Sequence, residues 1–194
     1  MNLLRIFSGQ SFKGTRNYLH TQRICEILRT ILFFALSGGL FLAGLLSTGS
    51  RLNLLTIVAV LGMLPASKSL VSVIMFCRYR SLSEETAKAI EPHVGELREL
   101  YDLVFTSNDK NFAVGHLTIK GNTVCGYTEA ASFAESAFYK HLEERLKADG
   151  LKNVNVKIFQ DLKKYVDRLD QMQELSCDES NTERIAETIR SIVL

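Results

Sequence analysis

Two long apolar runs dominate the first eighty residues of the chain. The first run, Thr30 to Thr48, holds no ionisable side chain. It is close to the ~20 residues that a helix needs to cross a ~30 Å hydrocarbon core. The second run, Asn53 to Cys77, is almost as apolar, and only the four residues 49–52 separate the two. The pattern predicts a membrane α-helical hairpin over residues 30–78, with spans at about 30–48 and 53–77.

Small residues recur at helical spacing in both predicted spans. Such residues let helix backbones approach closely in lipid, where the hydrophobic effect drives little association. We therefore expect them to pack the hairpin against itself, and the alternative is that the same faces also build an oligomer. The residues are Ala35, Gly39 and Ala43 in the first span, and Gly62 and Ala66 in the second.

Pro65 and Lys68 interrupt the apolar character of the second span. A proline removes a backbone donor and kinks a helix. An intramembrane lysine suggests a lipid-headgroup or ion site, but its long stem also lets the ammonium reach toward the headgroups. Because neither span contains an acidic partner, the second interpretation is favoured.

Beyond Arg80 the pattern changes to short segments that alternate between helical and strand periodicity. Strand patterns cover residues 101–107, 112–120, 123–128 and 153–159, and Gly121-Asn122 forms a two-residue hairpin signal between the second and third. Capping signals predict the helix starts. They are Ser81 with Glu84, Ser132 with Glu135, Asp161, and Ser180 with Glu183; Pro92 interrupts the first helix before a second helical stretch to about Leu100, and Gly150 ends the long one.

These elements predict a soluble α/β domain over residues 81–194, of order α-β-β-β-α-β-α-α, with a small mixed sheet flanked by helices. Over residues 82–160 this order resembles the core of the restriction-endonuclease-like fold. The resemblance implies an acid on the second strand and an acid-x-lysine on the third. The corresponding strands read FAVGHLTIK and TVCGYT and contain no carboxylate, so that nuclease chemistry is not expected.

Charge is distributed unevenly along the chain. Residues 1–80 contain nine Lys and Arg against the single acid Glu26, whereas residues 81–194 contain fourteen against twenty acids. Basic residues mark the cytoplasmic flanks of spans, and here they lie before the first span and after the second. Residues 1–29 therefore read as a basic, amphipathic leader at the inner membrane surface. We expect a multi-pass plasma-membrane protein with both termini in the cytoplasm.

The charge balance and the cysteines limit the possible ligands. An acidic domain argues against nucleic acid, which requires a basic face. The four cysteines (Cys25, Cys77, Cys125, Cys177) lack zinc spacing and are expected to be free thiols in a reducing compartment. No phosphate-binding glycine loop appears, so no metal and no cofactor are predicted.

One pair of residues suggests nucleophilic chemistry. The register set by Gly121-Asn122 pairs Thr118 with Cys125 and His116 with Tyr127, which places His116 and Cys125 diagonally on one face. A histidine beside a thiol is a known nucleophile arrangement. Since the sequence indicates no third residue to orient the imidazole, a partly buried cysteine beside a surface histidine is the favoured interpretation. Four acids near strand ends are expected to be caps or solvated turns: Asp102, Asp109, Glu129 and Asp161.

The segments YDLVFTSNDKNFAVGHLTIKGNTVCGY, FYKHLEERLKADG and VKIFQDLKKYVDRL resemble a group of small uncharacterised two-span membrane proteins of Firmicutes. The similarity covers roughly residues 50–175 and implies a bacterial plasma-membrane protein. Some of that group carry the label O-linked GlcNAc transferase-like. This sequence contains no acidic nucleotide-sugar-binding motif to support the label.

The sequence predicts a membrane-anchored cytosolic module that binds a protein partner or a second copy of itself, with no identifiable catalytic site. The alternative is an enzyme acting on a membrane-proximal substrate, either through His116 and Cys125 or on the nuclease-like topology without its carboxylates. A further alternative is a small membrane subunit that uses Lys68 in a lipid or ion path.

Overall fold

The computed structural model of the protein describes residues 12–107 and 110–194. These residues form two compact units. Residues 19–80 form the first, which we call the hairpin unit. Residues 12–18 and 81–194 form the second, the α/β unit. The short segment before the first helix therefore clusters with residues that follow it by more than sixty positions in sequence.

The hairpin unit consists of two long helices, α1 (Tyr18–Thr48) and α2 (Leu54–Arg78). Helix α2 begins where the Asn53 side chain accepts a hydrogen bond from the backbone N–H of Thr56, as an N-cap should. Helix α1 begins well before the first apolar run, so the latter part of the predicted leader is continuous with the first span. Residues 1–11 of that leader lie outside the described residues.

Between Thr30 and Ser69 the interior of the hairpin unit consists of small and hydroxyl-bearing residues, and its surface carries large apolar side chains. A water-soluble helix pair would bury its large apolar side chains and expose its polar ones. Here the distribution is the reverse. The buried residues include Thr30, Ser37, Ala59, Ala66 and Ser69, whereas Leu36, Leu46, Leu54, Val60 and Leu64 are each more than half exposed.

The α/β unit contains one four-stranded mixed sheet. Its strands are β1 (Arg98–Thr106), β2 (Asn111–Lys120), β3 (Thr123–Tyr127) and β4 (Asn155–Phe159). They lie in the order β1-β2-β3-β4. Strand β2 pairs antiparallel with both β1 and β3, and β4 pairs parallel with β3. Gly121, with a φ of +57°, forms the predicted tight turn between β2 and β3. The predicted small mixed sheet is confirmed.

Helices cover both faces of this sheet, in the predicted order. Phe138, Leu142 and Ile189 belong to the core on one face, and Ile90, Tyr165 and Leu169 belong to the core on the other. The helices are α3 (Glu84–Ile90), followed by a 3-10 turn (Glu91–His93) that carries Pro92, then α4 (Glu135–Ala148), α5 (Leu162–Glu174) and α6 (Thr182–Ile192). The second helical stretch predicted to about Leu100 is wrong, because β1 already begins at Arg98.

The predicted helix caps are only partly correct. The Asp161 side chain caps α5 by accepting hydrogen bonds from the backbone N–H groups of Lys163 and Lys164. Ser83, not Ser81, caps α3 through the N–H of Thr86. Helices α4 and α6 begin after Ala134 and Asn181 without a side-chain cap, so the caps predicted at Ser132 and Ser180 are wrong.

Two chain segments that are distant in sequence cover the outer edge of β1, the first strand of the sheet. The N–H of Tyr101 donates to the carbonyl of Gly14 at 2.8 Å, and the N–H of Leu194 donates to the carbonyl of Val104 at 2.9 Å. The ammonium of Lys13 donates to the carbonyl of Val193 at 2.6 Å. An open strand edge invites pairing with another chain, and these contacts occupy it.

The alternation of side chains along β1 and β2 reverses at one point. Leu100 and Leu103 are an odd number of residues apart, yet both belong to the same core. Between them Asp102 has a φ of +54°, and it lies opposite Gly115, since Tyr101 pairs with His116 and Leu103 with Val114. The left-handed conformation of Asp102 thus shifts the alternation by one residue, so that Leu100 and Leu103 lie on the same face of the sheet.

Candidate functional site

Two complete rows of side chains cross the sheet on the face covered by α5. The predicted hairpin register is confirmed, with His116 opposite Tyr127 and Thr118 opposite Cys125. Pairing with the outer strands extends each row across all four strands. The rows are Tyr101–His116–Tyr127–Phe159 and Glu99–Thr118–Cys125–Lys157.

His116 is the centre of a buried polar network in these rows. Its Nδ1 lies 2.7 Å from the hydroxyl of Tyr165, and its Nε2 lies 3.4 Å from Oε2 of Glu99. The Tyr101 hydroxyl donates to the same carboxylate oxygen at 3.0 Å, and the Tyr101 ring packs against the imidazole with centroids 4.5 Å apart. The imidazole itself is completely buried.

The network fixes the tautomer of the imidazole. The hydrogen bond from His116 lowers the pKa of Glu99 despite partial burial, so this group is an ionised carboxylate that can only accept. Burial lowers the pKa of His116, against the opposing effect of Glu99, so the imidazole is neutral. Nε2 therefore carries the proton and donates to Glu99, and Nδ1 accepts from Tyr165, whose pKa burial raises.

Cys125 lies one row away and is also buried. Burial raises the pKa of its thiol, although Arg168 and Lys157 act in the opposite direction. A nucleophilic cysteine requires a thiolate and access to substrate. In the observed conformation the Cys125 sulfur has neither, and both ring nitrogens of His116 are engaged by other groups.

The arrangement corrects two expectations about this pair. His116 is not a surface residue, and two side chains, Glu99 and Tyr165, orient its imidazole. Glu99 lies in the stretch that the sequence pattern assigns to a helix, and no sequence motif distinguishes Tyr165 as a partner of the imidazole. In chemical terms the network ties β1, β2 and α5 together and leaves only the Glu99 carboxylate half-exposed.

The acids expected at caps and turns have different roles. Asp161 is the cap of α5, and Glu129 accepts hydrogen bonds from the hydroxyls of Ser83 and Thr86 at 3.1 and 2.8 Å. Asp102 is buried within β1 and accepts from the N–H of Leu82 at 2.9 Å, so its assignment to a solvated turn is wrong. Asp109 lies outside the described residues.

Within the hairpin unit only part of the predicted packing face is used. Ala66 is fully buried, and a Cβ added to Gly62 would lie 2.6 Å from Oγ of Ser37, so both residues lie where the helices meet. Three residues of α1 lie on its exposed side instead, because at ~100° per residue they are on the opposite face from Ser37. They are Ala35, Gly39 and Ala43.

A hydrogen bond between the helices fixes the position of Lys68 relative to α1. The hydroxyls of Thr30 and Ser69 lie 2.8 Å apart, so Lys68 is level with the first residue of the charge-free run. Lys68 is exposed, and α2 continues as a helix through Pro65. Glu26, one turn before Thr30, is buried and forms an ion pair with Arg29 at 2.7 Å.

No protein-family model, curated protein or solved structure matches this chain. Among residues 12–107 and 110–194, no group of three or more His, Cys, Asp or Glu side chains is arranged to hold a metal ion. The helices α1 and α2 are both long enough and apolar enough to cross a membrane.

Proposed function

We propose that the protein is a plasma-membrane protein whose hairpin unit spans the bilayer and whose α/β unit works at the cytoplasmic face as a binding module. The observation that carries the proposal is the reversed distribution in the hairpin unit, where hydroxyls and small residues are inside and large aliphatic side chains are outside. In water, exposing so many leucines and valines would favour aggregation. In hydrocarbon, the same surface is the favourable one.

Charges at the ends of the helices support the cytoplasmic orientation. Arg23 of α1 donates to the backbone carbonyls of Phe76 and Tyr79, the first at 3.2 Å, and so caps the C-terminal end of α2. Arg78 and Arg80 follow at the same end, whereas the opposite turn offers only Arg51. A bias of Lys and Arg toward one side marks that side as cytoplasmic.

Self-association or a protein partner is the proposed target of the module. The α/β unit has two packed cores, and its most unusual polar network is sealed beneath α5 rather than open to substrate. A relationship to the two-span Firmicutes proteins would agree with the proposed membrane location. The enzyme alternative, with His116 and Cys125, would require α5 to move away from the sheet.

Two experiments test the proposal in sequence. Alkaline carbonate extraction of membranes should leave the full-length protein in the pellet, and release into the supernatant would contradict membrane insertion. Cross-linking in intact cells, followed by purification in detergent, should then recover either a defined partner or a homo-oligomer. A monomer without partners under both conditions would contradict the binding role while leaving the membrane assignment intact.

A further inference from the structure

A cavity of about 580 Å³ lies between α4 and the strands β1 and β2, away from the His116 network. Its volume is within the range of ~300–1,000 Å³ typical of small-molecule sites. Helix α4 supplies one side of it with side chains spaced three or four residues apart, which lie on one face of a helix. Thr106, Ser107 and Lys110 line it from the opposite side.

The charge of this cavity is opposite to that of the surrounding unit. Three cations, Lys110, Lys140 and Arg145, line it together with one carboxylate, Glu144, so the described lining carries three positive charges and one negative charge. The segment 81–194 as a whole has an excess of six acids. Cations gathered in a concave, partly apolar site raise the local concentration of anions.

None of these three cations forms an ion pair with another residue in the described part of the chain. Some basic side chains elsewhere in the α/β unit do form ion pairs, such as Arg98 with Glu183 at 2.9 Å and Lys147 with Glu143 at 2.6 Å. Arg145 lies one helical turn after His141, and its charge adds to burial in lowering the pKa of that imidazole. Glu144 acts in the opposite direction on the pKa of His141.

His141 supplies a second, independent feature of the site. Its Nε2 is buried and has no hydrogen-bond partner among the described residues, which is uncommon for a buried polar atom. The ring is stacked on Phe112, with centroids 6.5 Å apart and an angle of 30°. Phe112, Ala137 and Ala148 make the apolar part of the lining. The cavity thus combines cations with a flat apolar wall.

We propose that this cavity binds a phosphate monoester, with Lys140 and Arg145 holding the phosphate and the Phe112–His141 side contacting the rest of the ligand. A phosphate monoester carries about −1.5 to −2 charge near pH 7, which matches the excess of two positive charges among the described lining residues. Guanidinium and ammonium groups are its usual partners. This inference does not depend on membrane insertion, so its failure would leave the proposed function intact.

Calorimetric titration of the full-length protein in non-ionic detergent with inorganic pyrophosphate, at constant ionic strength, tests the proposal. The wild type should bind saturably, and Lys140→Gln/Arg145→Gln should weaken binding by about tenfold or more, because charge-assisted hydrogen bonds are lost. The matched control Lys147→Gln/Lys152→Gln makes the same charge change beside a different cavity and should bind like the wild type.

Two results would overturn the proposal. One is the absence of saturable pyrophosphate binding by the wild type, and the other is an equal loss in the control variant, which would indicate nonspecific attraction. Both double variants replace exposed side chains, and the single variant Arg145→Gln repeats the test with one change.

Repeating the titration in nanodiscs containing phosphatidic acid distinguishes the source of the phosphate. Competition there assigns the site to a lipid headgroup, unchanged binding assigns it to a soluble ligand, and either result supports a phosphate site.

Discussion

The hydroxyl groups of Thr30 and Ser69 lie 2.8 Å apart in the interface between α1 and α2. Both residues are buried, and the Thr30 hydroxyl also donates to the carbonyl of Glu26 at 2.8 Å. A pair of hydroxyls at this position gives the interface a polar contact that hydrocarbon cannot replace, because lipid tails offer no hydrogen-bond partner.

This contact predicts a measurable coupling between the helices. In a double-mutant cycle of Thr30→Val and Ser69→Ala, monitored by thermal unfolding in detergent, we expect a coupling free energy of about 0.6–1.7 kcal/mol. Ser67→Ala is the matched control, since the exposed Ser67 hydroxyl bonds only to the carbonyl of Met63 in its own helix. Coupling of Thr30 to Ser67 as large as that to Ser69 would contradict the assigned interface.

Glycine substitutions should distinguish the two faces of the hairpin. Gly62→Leu forces side-chain atoms against Ser37 and should destabilise the hairpin by about 1–3 kcal/mol, the usual cost of overpacking. A Cβ added at Gly39 meets no atom within 4 Å, so Gly39→Leu should leave the melting temperature nearly unchanged. Equal destabilisation by the two variants would show that the helices meet on a different face.

The buried imidazole predicts that the α/β unit loses stability in acid. The folded-state pKa of His116 is below the ordinary value of 6.5, so below that value the unfolded chain takes up a proton that the folded one does not. Glu99 acts in the same direction, because its lowered pKa stabilises the fold only while it is ionised. The free energy of unfolding should therefore begin to fall as the pH drops through 6.5, because of His116, and Glu99 should add to the loss below pH 4.5.

Substitution of the histidine tests this cause. His116→Gln should reduce stability near neutral pH by about 1–3 kcal/mol, since Glu99 and Tyr165 lose their partner, and it should flatten the pH profile. His141→Gln is the control for a less buried imidazole, and most of the wild-type slope should remain. A His116→Gln profile parallel to the wild type would place the acid sensitivity elsewhere.

The cysteines should differ sharply in reactivity. Cys177 is exposed, whereas Cys125 is buried and burial raises its pKa, so the thiolate that reacts is rare at Cys125. In the native protein we expect rapid maleimide modification of Cys177 and very slow modification of Cys125 until the protein is denatured. Cys177→Ser should remove one rapid phase, while labelling of the exposed Cys77 and the slow phase of the buried thiols remain. Rapid native labelling of Cys125 would revive the catalytic alternative.

The sequence predicted those features that depend on local patterns. Charge-free runs locate both long helices, and Gly121-Asn122 fixes the register that pairs His116 with Tyr127. The missed features depend on tertiary contacts. The reversal at Asp102 could not be read from alternation, because a left-handed residue in a strand shifts the phase without leaving a hydrophobic signal. Glu99 was therefore assigned to a helix, and the partners of His116 were overlooked.

The prediction that Ala35, Gly39 and Ala43 face α2 fails for a similar reason, and the alternative that this face builds an oligomer stays a prediction. The spacing of Ala35, Gly39 and Ala43 resembles a packing motif, but the spacing cannot say which neighbour the face meets. The face that meets α2 instead contains Thr30, Ser37 and Gly44, where hydroxyls and one glycine allow the approach. The residues that contact this face of α1 belong to α2, and the spacing of small residues within α1 does not identify them.

The transmembrane topology is the central claim, and labelling with a membrane-impermeant maleimide in intact cells tests it most directly. The protein would carry Ser50→Cys in the turn between α1 and α2, with Cys177 as the reporter on the α/β unit. The account predicts labelling of Ser50→Cys from outside, and labelling of Cys177 only after the membrane is permeabilised. Labelling of Cys177 in intact cells, with Ser50→Cys protected, would contradict it.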